Sequence, residues 1–246
     1  MQIIISPAKK MKVDQDDFTP LNTPRYLDQS VIIKRKLLSL SYDELKHLWQ
    51  TSDKLTAENY NQLHRTDLNN ALTPAIFSYV GIQYQYIAPN VLDEQALTYL
   101  QNHLWILSAF YGVLRPFDGI VPYRLEMKSR LKINDNHDLY EFWGDKLYQN
   151  VRNQGPIINL ASKEYAQTIT PYLQPEDSFI DVVFAQIVSG KLKIRATAAK
   201  MARGEMVRFI VENKLTLIDD LKKFQTSGYT FNESRSTDRK LVFIHN

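Results

Sequence analysis

The chain has 246 residues, 44% of them apolar and 23% charged, with no cysteine and a formal net charge of +3. A chain of this length buries enough surface to fold without staples, and the missing cysteines exclude disulfides, thiolate nucleophiles and cysteine-bound metal. So small a net charge cannot hold a polyanion unless it is concentrated on one face, and no apolar run reaches the roughly 20 residues of a membrane helix.

The start, Met1-Gln2-Ile3-Ile4-Ile5-Ser6, is too short and too poor in leading basic residues for a signal peptide, so the cytoplasm is the expected location. Residues 2–5 read as a short buried strand stopped by Ser6-Pro7, and residues 9–24 as a surface loop. Residues 31–40 are helical in pattern, and Ser41 with Glu44 three positions on forms a capping box for a helix over 42–50. A polar turn, Thr51 to Leu55, joins it to a helix over 57–65. The pair is a helix–hairpin–helix-like unit, whose turn can aim N–H groups at a phosphate. The same residues suit an ordinary helical hairpin, since the glycines that let a backbone approach DNA are missing.

Thr73-Pro74 predicts another helix with proline in its first position, and Asp93 caps one over 94–103. Residues 105–109 read as a buried strand. Asp138 and Glu141 form a second capping-box pattern ahead of a helix over 139–151, and residues 156–160 form a strand leading into a helix near Tyr165. Residues 179–188 and 191–196 are strands joined at Ser189-Gly190. Helices over 199–213 and 219–224 follow, then a closing hairpin of residues 229–231 and 241–244. No regular βαβ repeat is visible. The expected fold is a mixed α/β (α+β) single compact domain over 1–246, its mixed sheet flanked by helices, with 31–103 able to form a mainly helical lobe.

Three segments are too polar for ordinary connections. In Ile5-Ser6-Pro7-Ala8-Lys9, Ser6 and Lys9 follow a strand end, where open α/β sheets place ligands. Ser6-x-x-Lys9 also matches the serine–lysine motif of acyl-transfer enzymes, without its partner motifs. In residues 111–127 the forks of Arg115 and Arg124 suit phosphate or guanine, and Tyr111, Phe117 and Tyr123 suit stacking on bases. The same arginines can instead pair with Asp118 and Glu126 and brace the loop. In residues 200–210, Lys200 and Arg203 lie off the core stripe, near a mid-helix Gly204 that costs about 1 kcal/mol against alanine; close approach of a backbone or a ligand explains that cost, and simple helix–sheet packing explains it equally well.

Lys9, Arg115, Arg124, Lys200 and Arg203 are therefore predicted to line one concave, basic surface. With Lys10, Lys54, Tyr123, Lys128, Lys163 and Arg208 they form the candidate nucleic-acid contacts. Asp118, Glu126 and Glu164 are the candidate acid–base groups. The five histidines lack the paired spacing of a metal site, and there is no glycine-rich dinucleotide fingerprint, so neither metal nor cofactor is expected.

The motifs Ile-Ser-Pro-Ala-Lys at 5–9, Tyr-Gly-Val-Leu-Arg-Pro-Phe-Asp at 111–118, Pro-Tyr-Arg-Leu-Glu-Met at 122–127 and Ala-Arg-Gly-Glu-Met-Val-Arg-Phe-Ile at 202–210 resemble the YaaA family of peroxide-stress proteins. Leu-Tyr-Glu-Phe-Trp-Gly-Asp at 139–145, Asn-Leu-Ala-Ser-Lys-Glu-Tyr at 159–165 and Gly-Tyr-Thr-Phe at 228–231 extend the resemblance along the chain. It implies survival of hydrogen peroxide, with lowered free iron and less oxidative DNA damage. It also implies a positively charged cleft, a helix–hairpin–helix element and DNA binding, but no reaction.

The expected partner is nucleic acid, DNA before RNA, with no membrane and no obligate protein partner. Direct iron binding is disfavoured by the ligand types. The alternative is an enzyme acting on a nucleobase or nucleotide, glycosidase-like, drawing a base into a pocket walled by Tyr111, Tyr123, Arg124 and Asn159.

Overall fold

Ile3, Ile4 and Ile5 carry three consecutive apolar, β-branched side chains, which suits a strand covered on both faces rather than one. In the computed structural model, which describes residues 1–14, 18–70, 72–152 and 154–245, all three are fully buried in β1 (Gln2–Ile5). After β2 (Lys10–Met11) come α1 (Leu27–Leu38), α2 (Tyr42–Trp49) and α3 (Asp53–Arg65). Next are β3 (Thr73–Pro74), α4 (Ala75–Ser78), β4 (Tyr79–Val80), α5 (Ile82–Ile87) and α6 (Glu94–His103), the last capped by Asp93, which accepts the Ala96 N–H at 2.7 Å. A hairpin of β5 (Leu104–Ser108) and β6 (Gly112–Leu114) precedes β7 (Gly119–Ile120), α7 (Leu139–Trp143) and α8 (Lys146–Val151). Then come β8 (Ile157–Leu160), α9 (Lys163–Ala166), β9 (Phe179–Val188) and β10 (Lys191–Lys193). The chain closes with α10 (Ala196–Glu212), α11 (Ile218–Leu221), β11 (Tyr229–Phe231) and β12 (Lys240–His245).

Among the described residues the main sheet has eight strands, in the order β11-β12-β9-β8-β1-β5-β6 with β10 paired to β9. Its five central strands are parallel. Counted in order of appearance they run 2-1-3-4-5, one of the two common doubly wound orders. From β1 the chain passes to β5 on one side and later to β8 on the other, so β1 and β8 flank the switch point. Ile5 pairs with Leu160 there, which sets Ser6 beside Ala161. This parallel core is a finding the sequence pattern does not display, because the crossover from β1 to β5 runs, among the described residues, through six α-helices and three short strands.

Several expected elements differ in detail. Thr73 and Pro74 pair with β7, and Pro74 is the residue before a four-residue helix rather than its first turn; the residue before a proline is pushed to an extended conformation. Helix α3 begins at Asp53, so the turn after α2 is shorter than expected, with Gln50 in the left-handed region at φ 50°. The helix expected over 139–151 is broken at Gly144, whose φ of +51° no helix accommodates. Glu141 reaches back to the His137 N–H rather than to that of Asp138. The Ser41–Glu44 capping box and the Ser189-Gly190 turn form as expected, although β10 stops at Lys193. The closing hairpin forms and also joins β9 through β12.

Ile33, Leu37, Leu45, Ile87 and Leu100 of the 31–103 region lie in the same apolar core as β1. Helix α10 reaches that core across α5, through Gly204. A Cβ there would sit inside van der Waals contact of the Gln83 carbonyl oxygen and 2.7 Å from the Cβ of Tyr86. The glycine that weakens the helix locally is thus what lets two helices touch backbone to backbone. Gly204→Ala should destabilise the fold by about 1–3 kcal/mol through overpacking, lowering the melting temperature by about 2–4 °C per kcal/mol. A thermal melt unchanged from the parent would contradict this packing.

Candidate functional site

Ser6 leaves β1 at the switch point and meets Ser162 at the end of β8. Its hydroxyl accepts the Ser162 N–H at 2.8 Å and donates to the Ser162 hydroxyl at 3.2 Å, while its carbonyl accepts the Tyr84 hydroxyl at 2.9 Å. The Lys9 ammonium turns away from Ser6 and pairs with Glu126 at 2.7 Å. The Ser-x-x-Lys spacing therefore builds no serine–lysine pair.

The 111–127 segment splits in two. Strand β6 runs back along β5, which carries Arg115 toward the amino end of the parallel strands. There its guanidinium stacks 3.3 Å over Trp105 and donates to the carbonyls of Asn102 and Leu104. Burial lowers the Arg115 pKa to about 10, against the opposing pull of Asp118. Asp118 is buried and accepts the Arg115 backbone N–H at 2.8 Å. Burial raises its carboxyl to about 6, partly offset by that hydrogen bond and by the Arg115 charge. Asp118 and Arg115 brace this bend and stand apart from the residues around Ser6.

The second half of the segment returns to the carboxyl end. The Tyr123 hydroxyl is shared between Tyr79 at 2.9 Å and Ser108 at 2.8 Å, its ring stacks on Phe110, and burial holds its pKa at about 12. Glu126 gathers Lys9, Arg124 at 3.6 Å and Lys128 at 3.8 Å. Glu164 accepts the Lys128 backbone N–H at 3.2 Å. Of the other expected pocket walls, the Tyr111 hydroxyl is buried and accepts the Val121 N–H, and Asn159 donates to Asp181 at 2.7 Å.

Two cavities meet at Lys9, Arg124 and Glu126. The larger, about 930 Å3, is a groove between α1–α2 and residues 124–132; its cations include Lys36, Lys128, Arg130 and Lys132. The smaller, about 470 Å3, lies over the ends of β1 and β8, walled by α5 and α10, and adds Lys10, Lys200 and Arg203. Among the described residues their walls together carry nine cations against four carboxylates: Asp43, Glu44, Glu126 and Glu164. Of the cations expected on one concave surface, Lys9, Arg124, Lys200 and Arg203 thus converge, and Arg115 does not.

Lys10, Tyr123 and Lys128 also line these walls, whereas Lys54, Lys163 and Arg208 lie outside both cavities, Arg208 pairing with Glu212 at 2.7 Å. Sequence reasoning missed Lys36, His47, Gln83 and Tyr84. Each faces the cleft from a helix whose pattern looks ordinary, so local sequence carries no signal for them.

Among the described residues no helix is long and apolar enough to cross a membrane, and no group of three or more His, Asp or Glu is placed to hold a metal ion. The family profile described as "Peroxide stress protein YaaA" matches residues 1–235. The chain is 54% identical over 246 residues to a "UPF0246 protein" of Lactiplantibacillus plantarum, covering 100% of this chain and 99% of the relative. It is 55% identical over 245 residues to one of Lacticaseibacillus paracasei, covering 99% of each, and 49% identical over 244 residues to one of Agathobacter rectalis, covering 99% of this chain and 98% of the relative.

The placement of Asp118 fixes a pH dependence. Its folded pKa of about 6 lies above the ordinary 3.8, so its contribution to stability is fully present below about pH 4 and is lost as pH rises through 6. Asp118→Asn, which stays neutral, should therefore gain on the parent by up to about 3 kcal/mol between pH 4 and pH 7. Paired chemical denaturation curves at both pH values measure that difference, and a gap that does not change with pH would refute the assignment.

Proposed function

The chain belongs to the peroxide stress protein YaaA family, and from that premise we propose that it binds nucleic acid, DNA before RNA, in the cleft. It acts in the cytoplasm as a binding protein of the peroxide response, limiting oxidative DNA damage and free iron. The observation that carries this reading is the charge of the cleft walls. Among the described residues their surplus of cations exceeds the net +3 of the entire chain. A concave wall with a surplus of one sign focuses its field into the groove and draws in a polyanion.

The carboxylates favour binding over catalysis. Asp118 stands outside the cleft, and Glu126 already faces three cations. Glu44 is tied to Ser41 at the start of α2. Arg130 and Lys132 are exposed on the rim, where flexible cations can follow a phosphate backbone.

Binding should be salt-sensitive and weakly selective for sequence. If four or five cations each neutralise a phosphate, log K against log salt should slope at about −4, with about 0.9 of that magnitude lost in Arg130→Ala or Lys132→Ala. Lys54→Ala, outside the cleft, should leave the slope alone. Anisotropy titrations of labelled duplex and single strands at several salt concentrations make the measurement. No binding at low salt, or a slope of zero, would remove the proposal.

A further inference from the structure

The smaller cavity differs from the groove in how its charges are spent. Along the groove, Lys9, Arg124 and Lys128 are already engaged with Glu126. In the smaller cavity Arg203 makes no hydrogen bond or ion pair among the described residues, and its Nε is buried without a partner. Asp181 is within electrostatic reach, but that carboxylate accepts the Asn159 amide. A buried donor left unmade is costly, and an anion that reaches Arg203 displaces no existing ion pair. Lys200, one turn earlier on α10, is exposed and likewise unpaired. Across the cavity, Ser6 donates to Ser162, so the Ser162 hydroxyl proton is left without an acceptor among the described residues.

The rest of the lining mixes charged groups, Glu126 and Glu164 among them, with three aromatic rings. The rings are those of Tyr84, Tyr123 and Tyr165, and all three phenol oxygens are engaged within the protein: with the Ser6 carbonyl, with Ser108 and Tyr79, and with the Met127 backbone. They offer ring carbon to whatever enters. About 470 Å3 is within the range of pockets that enclose small ligands, and the switch point of a doubly wound sheet is where such ligands sit.

We infer that this cavity is a mononucleotide site, taking a phosphate on Arg203, Lys200 and the Ser162 hydroxyl and a nucleobase against the tyrosine wall. The nucleotide is either free or one residue turned out of a strand lying in the groove. Only the second source rests on the nucleic-acid reading proposed above.

Calorimetric titration of the intact protein with the four deoxynucleoside monophosphates tests the site, with the matching nucleosides and inorganic phosphate as partial ligands. The monophosphates should bind one per chain, at least about tenfold tighter than either partial ligand. Arg203→Met should weaken them about tenfold. Lys200→Ala, an exposed change that leaves folding alone, should weaken them to a smaller degree, and Lys54→Ala should not. Monophosphates no tighter than inorganic phosphate, or affinity untouched in both Arg203→Met and Lys200→Ala, would overturn the inference.

A strand carrying 2-aminopurine assigns the source. Fluorescence that rises on binding and is quenched by free monophosphate places a strand nucleotide in the cavity; monophosphate binding without that rise assigns the free nucleotide. If monophosphate binds and strands do not, the inference stands and the nucleic-acid reading falls. If strands bind and monophosphate does not, the inference falls alone.

Discussion

Strand β1 is hydrogen-bonded along both edges and covered on both faces, and everything at the site follows from that enclosure. Four buried residues leave the chain no exit except past the carboxyl end, where Ser6 to Lys9 emerge between the ends of β5 and β8. The neighbouring connections then depart in opposite directions and leave a crevice that no strand fills. Helix α10 can roof that crevice only because Gly204 allows it to lie against α5. Polar side chains from four distant parts of the sequence are thereby held around one concavity by a sheet and a helix pair, not by the loops themselves.

Concentrating cations in this way creates a problem that Glu126 addresses. With no partner, Lys9, Arg124 and Lys128 would repel one another across a few ångströms, and the junction of the two cavities would splay. One carboxylate, only 16% exposed on its side chain, holds all three and leaves the outer rim positive. Asp118 does a different job with the same chemistry. It ties a tight bend through the Arg115 N–H at the far end of β5, and burial there makes its charged form unfavourable. Two acids in one continuous motif thus serve different ends of the sheet.

Much of the local structure was legible in the sequence. The Ser41–Glu44 box, the Asp93 cap, the Ser189-Gly190 turn and the short isoleucine strand are decided by neighbouring residues, which is why pattern reading finds them. Sheet order is not local. That β1 pairs with residues 104–106 and 157–160 depends on what can cover it from both sides. The candidate site was half legible for the same reason. Lys9, Arg124, Lys200 and Arg203 were marked by unusually polar motifs, but Arg115 shares its segment with Arg124 and ends elsewhere, because the antiparallel strand β6 just before it runs back along β5. Gln83 and Tyr84 come from a short helix whose composition gives no hint of the α10 backbone against it.

The central position of β1 also bears on when the site can exist. Strand β1 leaves the ribosome well before its partners, which arrive about a hundred and about a hundred and fifty residues later, and the helix that roofs the smaller cavity comes later still. Contacts so distant along the chain close slowly, because the entropy of ordering the intervening segments is lost before the contact repays it. Until then an uncovered isoleucine strand is a sticky edge. The cleft is therefore a late product of folding, assembled only after α10 has been made, and a nascent chain that stops short of α10 has no complete version of it.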